Sequence, residues 1–313
     1  MTPTSTPIRR RAEQYLAMRR ALGFKLTTFA QKLFSFIDYL EAHDLNVITT
    51  EAALAWATST PRSTDQVHWS RRMMVARIFA RHLAVLDPAT EIPPVDILPH
   101  HYRRITPHLY APEQITALLH AADGLRPPLR ALTWRTLICL LTATGMRTSE
   151  ACGLDRADLD LHEGLLSIRD TKYGKNRQLP LDPSTTTALR GYLRERDRLT
   201  GATATPAVFI TTRGTRLDHH NIPRTFARLI TATGLTTSTA RRRPRLHDLR
   251  HSFAVTTLID WYRDGGDVQA RLPLLSTYLG HVDPKATYWY LTATPELLAL
   301  AADRLEAAFG GQP

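Results

Sequence analysis

Between Asp87 and Pro107 the chain sets down Pro88, Pro93, Pro94, Pro99 and Pro107 with no sustained periodicity, and helical spacing runs on either side of this stretch. Proline lacks a backbone N–H and fixes its own φ, so neither a helix nor a central strand can pass through such a segment. The 313 residues are therefore expected as two bodies, 1–106 and 107–313, with the linker at about 87–107.

From Arg9 to about Leu86 apolar residues recur with helical period, first Phe29, Leu33, Phe34, Ile37 and Leu40, then Met73, Met74, Ile78, Leu83 and Leu86. These are the expected core faces of a helical body. Basic residues fall largely elsewhere on the same segments: Arg9, Arg10, Arg11, Arg19, Arg20 and Lys25, then Arg71, Arg72, Arg77 and Arg81. Two readings of them stand, a solvated charged face and a face that meets phosphate. Arg103 and Arg104 lie in the linker, where they would touch a ligand gripped between the two halves.

Charge favours an anionic partner. Forty Lys and Arg against 29 Asp and Glu leave a net charge of +11, which puts nucleic acid ahead of an anionic membrane surface. The same balance also suits an ordinary basic enzyme, so charge alone does not decide. A hydrophobic share of 43% excludes a disordered or fibrous chain. No apolar run reaches the roughly 18 residues of a membrane span, and Met1 to Arg11 lacks the apolar stretch of an export signal. A cytoplasmic protein without membrane attachment is expected. Cys139 and Cys152 sit in apolar helical pattern, as reduced thiols rather than a disulfide or a zinc site.

The second part opens with a helix start at Ala111-Pro-Glu-Gln, and Pro128 to Thr144 is a strongly apolar helix ending at Gly145. Leu165 to Arg169 and Gln178 to Leu181 alternate as two short strands of a hairpin with a basic tip. Helices are expected over Pro183–Leu199, Ile222–Thr231, Leu246–Trp261, Leu272–Leu279 and Pro295–Phe309, and Ile259 to Leu272, with Gly265-Gly266, reads as a loop insertion. The fold class is mainly α with a small β-sheet.

Five short segments, the last two of them joined, carry groups suited to a phosphodiester. In Thr144-Gly-Met-Arg-Thr-Ser-Glu150 one helix ends, another is capped, and Arg147 is left in the bend with Glu150 close enough to orient it. A planar guanidinium can bind two nonbridging phosphate oxygens, although a helix-end Arg paired with Glu is commonly structural. At the hairpin tip, Lys172 and Lys175 could deliver a proton to an alkoxide leaving group, or be solvated lysines. In Arg245-Leu-His247-Asp-Leu-Arg250-His251 an i,i+3 spacing puts His247 and Arg250 on one face, after Arg241, Arg242 and Arg243, which suit a phosphate backbone. His251 reads as a structural neighbour. In Leu279-Gly-His281-Val-Asp-Pro-Lys-Ala-Thr287-Tyr-Trp-Tyr290 a helix ends at Gly280 and a short new one brings a tyrosine back toward His281. Tyr288, Trp289 and Tyr290 could equally be an aromatic core cluster.

Taken together, Arg147, Lys172, His247-x-x-Arg250, His281 and Tyr290 follow an order that resembles the signature of the tyrosine recombinase, or phage integrase, family, from about Ala111 to the end. The helical first part is similar in architecture and charge to that family's SAM-like core-binding domain. The resemblance implies a two-domain C-shaped clamp on double-stranded DNA, with a mixed α/β catalytic domain at 107–313. It implies that Tyr290 attacks a backbone phosphate to give a 3′-phosphotyrosyl intermediate, with Arg147, Arg250 and His281 stabilising charge. Lys172 would be the general acid and His247 would assist at the phenol. Neither a metal ion nor another cofactor is expected. Lys175 is a second candidate acid and Tyr288 a second candidate nucleophile; the spacing from His281, with Thr287 three residues earlier, favours Tyr290.

The expected function is site-specific DNA recombination or integration by a mobile element, in a homotetramer on paired sites and a monomer without DNA. The amphipathic tail, Glu296 to Phe309, is expected to pack in its own domain or on a neighbouring protomer. No separate arm-binding domain is expected ahead of the helical part. Type IB topoisomerase-like relaxation and a non-catalytic DNA-binding accessory protein are the alternatives.

Overall fold

A computed structural model describes residues 6–59, 66–98, 106–169, 176–201, 205–235, 243–292 and 294–309. The chain divides into two compact units, Met1–Arg104 and Ile105–Pro313.

The first unit is helical: α1 (Pro7–Ala21), α2 (Thr27–Ala42), α3 (Thr50–Thr58) and α4 (Gln66–Leu83). Thr6 and Thr49 accept backbone N–H bonds as the caps of α1 and α3, and Pro7 opens α1 where no donor is needed. Leu33, Phe36, Ile37 and Leu40 of α2 pack with Leu16, Trp56 and Phe79 in one core. The stripe on α4 differs from the expected one: Met73, Ala76, Phe79, Ala80 and Leu83 are buried, whereas Met74 is 48% exposed. Met74 follows Met73 by about 100° around the helix and so leaves the buried face. Leu86, past the end of α4, is also exposed.

Several of the basic residues here have work inside the unit. Arg9 pairs with Asp38 and Glu41, and Arg11 with Asp87. Arg72 lies 4.1 Å over the Trp56 ring and donates to the Trp56 carbonyl at 2.6 Å. Arg77 donates to the carbonyls of Pro93 and Pro94, fastening that proline-rich stretch to α4. Arg10, Arg20, Lys25, Arg71 and Arg81 are exposed. Arg103 and Arg104 lie outside the described residues.

The second unit is built around α6 (Pro128–Thr144), whose Trp134, Leu137, Ile138, Leu140 and Leu141 leave it buried on nearly every side. It packs against α5 (Pro112–Asp123), α8 (Pro183–Thr200) and α10 (Asp248–Arg263). Each such leucine adds on the order of 1.5–3 kcal/mol relative to an exposed one. After α7 (Thr148–Gly153) comes a three-stranded antiparallel sheet in the order β1 (Leu159–Asp160), β2 (Leu165–Ile168), β3 (Arg177–Pro180). The expected hairpin is β2–β3, with Leu166 opposite Leu179 and Ile168 opposite Arg177. Lys172 and Lys175 at its tip lie outside the described residues. Then follow α9 (Ile222–Ala232), α10, α11 (Val268–Leu279), α12 (Lys285–Tyr288), a 3-10 turn at Trp289–Thr292, and α13 (Pro295–Phe309).

The loop insertion expected over Ile259–Leu272 is mostly helix instead. α10 continues to Arg263 and α11 starts at Val268, leaving only 264–267 as a connection. Asp267 caps α11, and Asp264 accepts from the Gly266 N–H and pairs with Arg271 at 2.7 Å, so a tight turn replaces a long loop. The tail helix α13 docks within this unit. Leu297 is buried with residues of α10 and α11, and Arg304 donates to the carbonyls of Trp261, Tyr262 and Gly266. Leu298 and Leu305 remain exposed. No helix of the described residues is long and apolar enough to cross a membrane.

Candidate active site

Three helix ends meet in the second unit. α6 ends at Gly145 and α11 at Gly280, both with positive φ (58° and 69°), and α10 begins beside His247. Helix C-termini leave carbonyls without helical partners and carry partial negative charge, so cations settle there. Arg250 does so twice, donating Nη1–H to the Gly145 carbonyl at 2.9 Å and Nη2–H to the Leu279 carbonyl at 2.7 Å. The glycine at 145 is required for space as well as conformation, because a Cβ there would lie 2.4 Å from Cδ1 of Phe253. Arg250 is almost wholly buried, which pushes its guanidinium down to about 10.

Arg147 occupies the bend ahead of α7, as its local sequence predicts. It donates Nη2–H to the Gly280 carbonyl at 2.7 Å and Nη1–H to Oε1 of Glu150 at 2.7 Å. Glu150 also accepts the Arg147 backbone N–H at 2.9 Å. Burial raises the Glu150 carboxyl, but Arg177 and Arg147 outweigh it and hold the group below the usual carboxylate range. Arg177 escaped the sequence reading entirely. Its guanidinium reaches both Glu150 oxygens, at 3.0 and 2.8 Å, and the Tyr278 carbonyl at 2.9 Å. An open cavity of about 670 Å³ is bordered by Arg147, Ser149, Glu150, Arg169 and Gly280.

His281 follows Gly280 directly, its N–H bonded to the Ser276 carbonyl at 2.9 Å and its Nδ1 2.7 Å from the buried Thr287 hydroxyl. With Nδ1 engaged, Nε2 is the nitrogen available to a ligand. Tyr290 stacks beside this ring, centroids 6.1 Å apart and 22° between planes. The two tyrosines separate cleanly: Tyr290 is 2% exposed and Tyr288 53%. Burial raises the Tyr290 phenol above its ordinary value, and the charge and hydrogen bond of Arg250, then the charge of Arg147, offset only part of that rise.

His247 and His251 complete the surroundings. The His251 ring touches His247, Trp289 and Tyr290 at centroid distances of 5.1, 5.4 and 5.6 Å. Partial burial and then neighbouring positive charge push His247 and His281 to about 4 and His251 to about 3, so all three rings are neutral near pH 7. His247 nonetheless keeps an exposed edge, whereas His251 and His281 are more enclosed. The start of α10 is held by Asp248, which accepts from the Arg245 N–H and guanidinium, and by Tyr110, which donates its hydroxyl to the Arg245 carbonyl at 3.1 Å.

Arg147, Glu150, Arg250, His281 and Tyr290 thus come together, with His247 at the rim. Arg243 is exposed nearby in sequence; Arg241 and Arg242 lie outside the described residues. Among the described residues the exposed run Asp218, His219 and His220 brings possible metal-ligand atoms within 4.8 Å of one another. Such exposed surface groups commonly hold no ion. Cys139 and Cys152 are both free thiols.

Known proteins resemble this chain in sequence and in fold. A Sinorhizobium fredii protein provisionally named integrase/recombinase y4rB is 44% identical over 95% of this chain and 96% of its own. The tyrosine recombinase XerC of Alcanivorax borkumensis is 32% identical over 81% of this chain and 75% of its own. The solved structure of the Tn1549 transposon integrase in complex with transposon right end DNA superposes with a TM-score of 0.67 at 17% identity, covering 95% of this chain and 98% of that one. A model of the phage integrase family matches residues 109–296, and with the relatives above it shows that the chain belongs to the phage integrase family of tyrosine recombinases.

Proposed function

We propose that this recombinase cleaves and rejoins specific DNA sites with Tyr290 as its nucleophile. The observation that carries this reading is the convergence of Arg147, Arg250 and His281 around the buried phenol of Tyr290, from segments that are distant in sequence. A phenol with an ordinary pKa near 10 is a poor nucleophile at neutral pH. Burial holds the Tyr290 phenol above that value, so its proton must pass to an acceptor as the oxygen attacks; the guanidinium groups that offset part of the rise also suit the extra charge of a pentavalent phosphorane.

In the proposed step the Tyr290 oxygen bonds to phosphorus and the P–O5′ bond breaks, leaving a 3′-phosphotyrosyl linkage and a 5′-hydroxyl. The phenolic proton departs with help from His247, and the 5′-oxygen takes a proton from Lys172, a role that rests on the family resemblance. Arg147 and Arg250 balance the phosphate charge, and His281, as a neutral ring, hydrogen-bonds a phosphate oxygen through Nε2. The linkage conserves phosphodiester energy, so a second strand's 5′-hydroxyl reverses the step without ATP. Arg71, Arg72, Arg103, Arg104, Lys175, Arg241, Arg242 and Arg243 are proposed to meet the DNA backbone. Arg72 would do so from a guanidinium already seated on Trp56.

Residues 1–106 are proposed to act as the core-binding domain and 107–313 as the catalytic domain. The exposed Leu298 and Leu305 support a tetramer on paired sites built through α13. A mobile-element origin and a cytoplasmic site of action fit the relatives and the absence of a membrane-spanning helix among the described residues.

The test is a set of nicked duplexes tiled from the DNA flanking the coding sequence, where loss of a short fragment traps the covalent intermediate. The expected product is a protein–DNA adduct mapping to Tyr290 by peptide mass. Relaxation of plasmids without any adduct preference for a site would instead favour the topoisomerase-like reading.

A further inference from the structure

Arg177 opens β3 opposite Ile168 of β2, with its side chain 10% exposed. Every nitrogen of its guanidinium is used: Nε on the Tyr278 carbonyl, Nη1 and Nη2 on the two oxygens of Glu150. Those oxygens are the ones that also receive the side chain and backbone N–H of Arg147. Nη1 of Arg177 fills the space that a Cβ on Gly280 would take, at 2.5 Å, while Arg147 holds the carbonyl of that glycine. One buried carboxylate is thereby shared by two guanidinium groups, and the turn carrying His281 is gripped from both sides.

The sharing has an electrostatic consequence. With Arg177 present, Glu150 cancels only part of the charge of Arg147. Without it, the carboxylate would close on Arg147 as a bidentate pair, and that pair is neutral. We infer that Arg177 is a positioning residue of the strand-cleavage reaction, keeping Arg147 electrostatically available to the scissile phosphate by dividing the Glu150 carboxylate between two guanidinium groups. The inference rests on the proposed role of Arg147 above. Arg177 itself need not touch DNA.

Single-turnover cleavage of the adduct-forming nicked duplex tests this. Arg177→Met is expected to lose about 100-fold, the scale of a misplaced or neutralised oxyanion partner. Its loss should fall below about tenfold on the same duplex with a methylphosphonate at the scissile position, where one anionic oxygen is gone and less cationic help is needed. The double variant Arg177→Met, Glu150→Gln should recover about tenfold relative to Arg177→Met, because the competing carboxylate is removed. Arg177→Lys keeps a charge without the three-way fork and should fall between wild type and Arg177→Met. The lysine and double variants serve where Arg177→Met does not fold. Equal losses on charged and neutral phosphates, with no recovery in the double variant, would reduce Arg177 to a structural staple and overturn the inference. Absence of an adduct with the wild-type protein itself would instead strike down the reading of Tyr290, and this inference with it.

Discussion

Nη1 of Arg250 donates to the main-chain carbonyl of Gly145 at 2.9 Å, tying the first turn of one helix to the glycine that caps another, 105 positions earlier. That carbonyl faces the arginine because Gly145 adopts φ 58°, and the missing Cβ leaves room for Phe253. Gly145→Ala is expected to cost about 2–4 kcal/mol, from left-handed strain together with overpacking. Cleavage should fall with it, since Arg250 loses its anchor. Urea denaturation of the second unit gives the first quantity; a loss under about 0.5 kcal/mol would mean that the ring moves aside freely.

Tyr290→Phe should abolish adduct formation while leaving DNA affinity within about twofold, since only a hydroxyl is removed from a buried ring. Tyr288→Phe, at an exposed position, should cleave at the wild-type rate. Gel shifts and denaturing gels on one substrate separate the two effects. An adduct surviving in the Tyr290 variant would transfer the nucleophile elsewhere.

The histidines predict an acid limit. His281 and His251 are pushed to about 4 and about 3 in the folded protein, below the 6.5 of an unperturbed ring. Between those values the unfolded chain binds more protons than the folded one, so stability rises with pH across that window and is lost as pH falls from about 6.5 toward 4. Hydrogen exchange of α10 amides should show protection declining over this range. His281→Gln combined with His251→Phe should flatten the decline; an unchanged slope would assign it to other groups.

The tail offers a separable pair of effects. Leu297 is buried, and Leu297→Ala should lower the stability of the second unit by about 2 kcal/mol or more. Leu298 and Leu305, two turns apart on one side of α13, are exposed. Serine at both should leave the thermal midpoint nearly unchanged and weaken assembly on DNA, read by sedimentation with and without paired sites. Full assembly in that variant, or in a chain ending at Thr294, would remove α13 from the contact between copies.

Glycine and proline punctuation made much of the second unit legible. Gly145 and Gly280 stop their helices where expected, and the α6 and α13 boundaries agree with the sequence reading. Arg147 and His281 are recognisable because each lies next to such a helix end; Arg250 and Tyr290 are legible from their spacing to His247 and His281 and from the order that resembles the family signature. Arg177 offers no comparable local sign, because its partners Glu150 and Tyr278 are 27 and 101 residues away. Spacing from His281 favours Tyr290 over Tyr288, but the burial that separates them is not revealed by neighbouring positions in a short helical turn. The glycine pair at 265–266 suggested a long loop, yet apolar contacts of Leu258, Val268 and Leu272 extend both helices toward it.

The pairing of Ile168 with Arg177 has a consequence for the life of the molecule before it meets DNA. Shifting that ladder by a single residue turns every side chain of the strand to the opposite side. Arg177 would then point away from Glu150, and the reactive cluster would be incomplete. Maturation of the hairpin and completion of the Glu150 ion-pair cluster are in this sense one event, so a copy whose strands paired out of step would leave that carboxylate to Arg147 alone.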